Sequence, residues 1–76
     1  MRFDKQIDTR GTKCPMPVLK TKKALADMQT DEVLCVLATD PASVADIAQF
    51  ASQTGHKMLA QETQDNGEIH HYIAHK

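Results

Sequence analysis

The chain has 76 residues, 41% of them hydrophobic, 25% charged and 4% aromatic, with a formal net charge of −1. That length supports one domain, residues 1–76, with one small core, which excludes a deep and wide substrate cavity and favours a single reactive group at the surface. Near-neutral charge and few aromatics argue against direct nucleic-acid binding, no apolar run reaches a membrane span, and Met1-Arg2-Phe3-Asp4-Lys5 lacks the apolar stretch of a signal peptide, so a soluble, cytoplasmic protein is expected.

Phe3 to Asp8 alternates, with Phe3, Lys5 and Ile7 on one side, and predicts a first strand that Gly11 interrupts. Pro15 and Pro17 mark a helix start. Beyond them Val18, Thr21, Leu25 and Met28 form an apolar stripe, with Ala24 beside it and Lys20, Lys23 and Asp27 on another face. The spacing predicts an amphipathic helix from residue 16 or 18 to about residue 29. Val33-Leu34-Cys35-Val36-Leu37-Ala38 is a continuous apolar run of the kind found in a central strand covered on both faces. Thr39-Asp40-Pro41 breaks it, and Asp40 or Ser43 is placed to cap a second helix with Val44, Ile47, Ala48 and Ala51 as its buried stripe and Gly55 as its stop. Lys57 to Thr63 and Ile69 to Ala74 then flank Gln64-Asp65-Asn66-Gly67-Glu68, a hairpin whose Asn66-Gly67 pair suits a type I′ turn. The order β-α-β-α-β-β predicts an α/β (α+β) two-layer sandwich, two helices over a mixed four-stranded sheet with a parallel first crossover.

Charge is unevenly spread. Residues 1–23 carry seven Lys and Arg against two Asp, and residues 24–76 carry two Lys against eight Asp and Glu. The positive part brackets Cys14, where it would favour a thiolate and attract acidic partners; the alternative is an ordinary solvated helix face.

Cys14 lies in Asp8-Thr9-Arg10-Gly11-Thr12-Lys13-Cys14-Pro15-Met16-Pro17, between a predicted strand and a predicted helix. Free amides and the positive dipole end at a helix start stabilise a thiolate, and Lys13 and Arg10 are close in sequence. Cysteines so placed have pKa values lowered from about 8.5 to between about 3.5 and 7.5, and the thiolate is the nucleophile in sulfur transfer. Each proline biases the residue before it toward extended geometry, so Cys14 and Met16 are both expected to be extended, with the Cys14 side chain outward. The competing reading makes Cys14 a small buried hydrophobe and Pro-x-Pro only a helix starter.

The pattern Asp8, Gly11, Cys14, Pro15, Pro17 followed by Lys23 resembles the signature of the TusA-like (SirA-like) family of sulfur carriers and sulfurtransferases. Ala38-Thr39-Asp40-Pro41 with Asp46-Ile47 after it, and Gly55-His56 before the third strand, extend the resemblance from about Ile7 to the C-terminus. It implies that Cys14 accepts sulfane sulfur as a persulfide from a donor protein, a cysteine desulfurase or a rhodanese-like protein, and passes it to a reactive cysteine of an acceptor protein. Asp8, Arg10, Gly11, Lys13, Pro15, Pro17 and Lys23 are the supporting residues on this reading, and no metal or cofactor is needed. Carriers of this kind serve tRNA thiolation, molybdenum-cofactor enzymes and sulfur oxidation, and a monomer making transient complexes is expected. Two positions depart from well-known members: Met16 replaces a glutamate, and Ala51 replaces a second cysteine, which leaves a one-cysteine carrier without a resolving thiol.

Two other functions compete with a carrier: a non-catalytic docking or regulatory module built on the Cys14-Pro15-Met16-Pro17 loop, and a thiol redox sensor. Cys35 sits inside the apolar run and is assigned to packing. His70, His71 and His75 read as solvated strand residues, and His71 and His75 on a strand are about 13 Å apart, too far for one metal ion. His56 has a structural or partner role, and Lys23 either lines a partner surface or pairs with Asp27.

Overall fold

The computed structural model describes residues 1–76. Its elements run β1 (Lys5–Asp8), α1 (Met16–Ala26), β2 (Val33–Ala38), α2 (Ser43–Thr54), β3 (Lys57–Thr63) and β4 (Ile69–Ala74). They form one four-stranded sheet in the order β1-β2-β4-β3, with β1 parallel to β2 and the other two pairings antiparallel. This is the mixed two-layer α+β sandwich expected from the order of apolar patterns.

Alternation along the strands divides the core. Leu34, Val36 and Ile73 point to the helices and pack with Ala24, Leu25, Met28 and Ile47. Cys35, Leu37 and Tyr72 point to the opposite face and pack against Val33 and Ala60. A continuous apolar β2 therefore serves both faces, although helices cover only one. Phe3 lies outside β1, half exposed, with its ring 6.5 Å from that of Tyr72. Cys35, 1% exposed, is a packing residue.

Several local expectations change. Helix α1 ends at Ala26, and Met28 packs into the core from the turn beyond it. Met16 is not extended but opens α1, with Pro15 at the N-cap and Pro17 in the first turn; the first turn tolerates both prolines because its amides have no intrahelical acceptor. On α2 the buried stripe is Ser43, Ile47 and Ala51, while Val44 is exposed. Neither Asp40 nor Ser43 caps α2: its N-cap is Ala42, Asp40 holds the turn before it through Ala42 N–H (3.1 Å), and the Ser43 hydroxyl turns inward to His71. Gly55 does end α2, in the left-handed conformation. The β3–β4 connection is not type I′, because Asn66 keeps negative φ. The Gly67 N–H closes a four-residue turn on Gln64 O (3.0 Å), and Gly67 at φ 89° absorbs the reversal that follows it.

His71 is the largest revision. It is fully buried rather than solvated, with Nε2 3.1 Å from Ser43 Oγ and Nδ1 3.1 Å from Gln61 Nε2. The Gln61 amide also donates to Val44 O (2.8 Å). Nδ1 is thus the acceptor and Nε2–H the donor, a neutral imidazole joining β3, β4 and the start of α2. Burial and the neighbouring His70 push its pKa down to about 4. The His56 ring lies 6.0 Å from that of Phe50, tilted by 30°, and meets His75 edge-on at 4.8 Å, and its Nδ1 accepts the Lys76 N–H (3.1 Å), so it fastens the C-terminal residues.

Candidate functional site

The segment between β1 and α1 is fixed from both ends. Thr9, fully buried, donates through both N–H and Oγ1 to Leu37 O at the end of β2 (2.8 and 2.6 Å). Gly11 then turns the chain at φ 78°, a backbone region side chains disfavour, and donates its N–H to Thr39 Oγ1 (2.9 Å). Three residues later the Cys14 N–H donates to Asp40 Oδ2 (3.0 Å), whose other oxygen accepts Ala42 N–H. The β2–α2 connection therefore holds the backbone of Cys14 in place, and the thiol projects free and exposed from the end of the sheet. The Cys14–Pro15 peptide is cis.

Cys14 opens onto a shallow cleft of about 240 Å³ between α1 and α2, lined by Pro15, Val18, Asp46, Gln49, Phe50 and Gln53. Met16, 40% exposed, and Leu19 present apolar surface on the first turns of α1, the helix that supplies Val18 and, at its N-cap, Pro15 to the cleft. The electrostatics run against expectation. The Asp46 carboxylate, on the same cleft wall as the thiol, is the main cause of a raised Cys14 pKa through its pull on the thiol proton; partial desolvation and the charges of Asp46 and Asp40 add to it.

The groups expected to stabilise a thiolate are engaged elsewhere. Of the amides at the start of α1, Pro15 and Pro17 have none, and that of Met16 donates to Lys13 O (2.9 Å). Arg10 is held away in a bidentate pair with Asp8 (Nε–Oδ1 and Nη2–Oδ2 both 2.9 Å) and a third bond to Glu68 (3.0 Å). That fork ties the end of β1 to the start of β4, and the Arg10 hydrogen bonds pull the Asp8 pKa down to about 2. Lys13 lines a neighbouring hollow with Gly11, Thr12, Thr39, Asp40 and Pro41. Lys23 lies in a separate groove with Lys5, Ile7, Lys20, Ala24 and Asp27, and forms no ion pair with Asp27.

Among the supporting residues expected from sequence, Gly11, Lys13, Pro15 and Pro17 stand around Cys14, Asp8 and Arg10 brace the strand end, and Lys23 is remote. Asp46 and Asp40 were not assigned to the site from sequence. Their only sequence signal was their place in the Ala38–Pro41 and Asp46-Ile47 blocks, and helix packing brings Asp46 to the thiol. No helix is long and apolar enough to cross a membrane, and no group of three or more His, Cys, Asp or Glu side chains converges in metal-binding geometry.

Residues 5–75 match the family model described as sulfurtransferase TusA. The chain is 42% identical over 74 residues to the sulfur carrier protein TusA of Allochromatium vinosum, a match covering 97% of this chain and 95% of that one. The crystal structure of a SirA-like protein from Desulfitobacterium hafniense superposes with a TM-score of 0.85 at 32% identity, covering 93% of this chain and 96% of the other.

Proposed function

This chain belongs to the TusA sulfurtransferase family and is a sulfur carrier, and on that premise we propose that Cys14 is the atom-bearing residue of the relay, taking sulfur as a persulfide and handing it to a protein thiol. The observation that carries this reading is a contrast between two thiols. Cys14 is exposed at the mouth of a cleft with its backbone pinned, whereas Cys35 is buried in the sheet. A carrier needs a thiol that two successive partners can reach, and Cys14 alone meets that need.

Both steps balance without an external oxidant. In loading, the Cys14 thiolate attacks the outer sulfur of a donor persulfide, R–S–SH. The donor S–S bond breaks as the new one forms, giving Cys14–S–SH and R–S⁻, which takes up a proton. In delivery, an acceptor thiolate attacks the outer sulfur of Cys14–S–SH and regenerates the Cys14 thiolate. The sulfane sulfur keeps its oxidation state throughout. The donor is a cysteine desulfurase or a rhodanese-like protein, the acceptor a protein with a reactive cysteine, and the reducing cytoplasm is the setting in which Cys14 stays free. Thr9, Gly11 and Asp40 hold the loop, and Met16 and Leu19 give a partner an apolar landing on the first turns of α1.

Transfer of radiolabelled sulfur tests the reading. Label from a cysteine desulfurase and labelled cysteine is expected on this protein, to leave when a reduced acceptor protein is added, and to be absent after Cys14 has been alkylated. Label uptake that prior alkylation of Cys14 leaves unchanged contradicts it.

A further inference from the structure

The charged groups around Cys14 are few. From α2 comes Asp46, from the β2–α2 connection Asp40, and from the cysteine's own loop Lys13, which faces the hollow shared with Asp40. Arg10 is occupied by Asp8 and Glu68. The two carboxylates differ in what else they do. Asp40 has both oxygens committed to backbone amides, of Cys14 and of Ala42, and so serves the loop. Asp46 has no ion pair and no hydrogen bond to the backbone, lies in the first turn of α2, and shares the cleft wall with Cys14. A carboxylate so placed accepts an S–H and repels a thiolate.

We infer that Asp46 is a positioning residue for the sulfur relay: its carboxylate accepts the Cys14 S–H, holds the unloaded carrier as a neutral thiol, and releases it as a thiolate when a partner places a lysine or arginine side chain in the cleft between them. The inference rests on Cys14 being the carrier residue. In the resting protein the pair is Cys14–SH with Asp46–COO⁻. When the partner's cation pairs with Asp46, the thiol proton leaves to solvent. The thiolate then attacks the outer sulfur of the partner's persulfide, giving Cys14–S–SH and the partner's thiolate, so one S–S bond breaks and one forms. The same carboxylate thus makes Cys14 slow toward stray electrophiles and oxidants, and ties its activation to a partner of the right charge. The partner's contact surface is accordingly predicted to be mixed, apolar opposite Met16 and Leu19 and basic opposite Asp46.

Two readouts on the folded protein test this, in wild type, Asp46→Asn and, should that variant fold poorly, Asp46→Ser. The first is the pH–rate profile of Cys14 alkylation by iodoacetamide. The second is the rate of sulfur uptake from a persulfide-loaded cysteine desulfurase. Removing the carboxylate is expected to move the alkylation midpoint down and to raise the alkylation rate at pH 7, while slowing sulfur uptake. Opposite signs in a variant whose circular dichroism and urea midpoint match wild type are the signature, since a loosened fold would itself bring the alkylation midpoint down toward that of an unstructured cysteine. A profile that superimposes on wild type or moves up, or an uptake rate that rises in step with alkylation, overturns the inference. Wild type that loads sulfur alongside an unmoved profile removes the role of Asp46 alone. Wild type that takes up no sulfur removes the carrier reading and this inference with it.

Discussion

Acidification from pH 7 to pH 4 is expected to remove about 3 kcal/mol of folding stability through His71 alone. In the folded protein its pKa is held near 4 by burial and by His70, against an ordinary 6.5. Above about pH 6.5 neither the folded nor the unfolded chain protonates the ring, and the neutral imidazole contributes fully. As pH falls through the window from about 6.5 to about 4, the unfolded chain binds the proton and the folded chain does not, so stability drops. Below about 4 both states are protonated and this contribution flattens.

The geometry explains why the fold resists the proton. A proton on Nδ1 would face the Gln61 amide, and turning that amide over would point its oxygen at Val44 O, so no arrangement of the cluster accommodates the charge. Asp8 and Glu68, whose pKa values are lowered mainly by hydrogen bonds from Arg10, lose their contributions at lower pH, and both are too solvated to dominate. Urea unfolding at intervals from pH 7 to pH 4 reads the effect. His71→Gln is expected to flatten the curve by close to one proton between pH 5 and pH 6, or about 1.4 kcal/mol per pH unit. A curve of unchanged slope in that variant would mean that His71 is not the titrating group.

Replacing Ile47 by alanine is expected to cost about 3 kcal/mol, a large share of what a core of this size supplies. Ile47 is fully buried among Leu25, Leu34, Val36 and Ile73, and it is the main apolar anchor of α2 on the sheet. Its loss leaves a cavity that the short helix cannot close without shifting, because Ser43 and Gln61 pin one end to His71 and the sheet. The urea midpoint should fall with the slope of the transition unchanged. Because α2 carries Asp46 and one wall of the Cys14 cleft, the same variant should also bring Cys14 alkylation closer to that of an unstructured cysteine. A midpoint within the error of wild type would show that α2 is held chiefly by its polar contacts.

Much of this was legible in the sequence, for local reasons. The limits of β2, β3 and β4 follow from where apolar periodicity starts and stops, and Gly55 ends α2 because a left-handed residue must follow it. The strand-to-helix junction at Cys14 was legible because prolines cannot sit elsewhere in a helix without breaking it. What stayed hidden depends on contacts between distant segments. The direction of the Cys14 pKa turns on Asp46, 32 residues away, and on Arg10 being captured by Glu68, 58 residues from it. Sequence proximity placed Arg10 and Lys13 beside the thiol and gave no weight to competitors for their charge. The burial of His71 was hidden for a similar reason: alternation along β4 says that residues 69, 71 and 73 share a face, but not that Ser43 and Gln61 arrive there to satisfy an imidazole. The Asn66-Gly67 pair misled because five residues, not two, separate the paired strands.

The measurement closest to the central claim is the intact mass of the protein after incubation with a cysteine desulfurase and cysteine, for wild type, Cys14→Ala and Cys35→Ala in parallel. A mass gain of one sulfur atom in wild type and Cys35→Ala, reversed by reductant and absent from Cys14→Ala, is the predicted result. A gain that persists in Cys14→Ala, or no gain in wild type with either this donor or a rhodanese and thiosulfate, would contradict the assignment of the relay to Cys14.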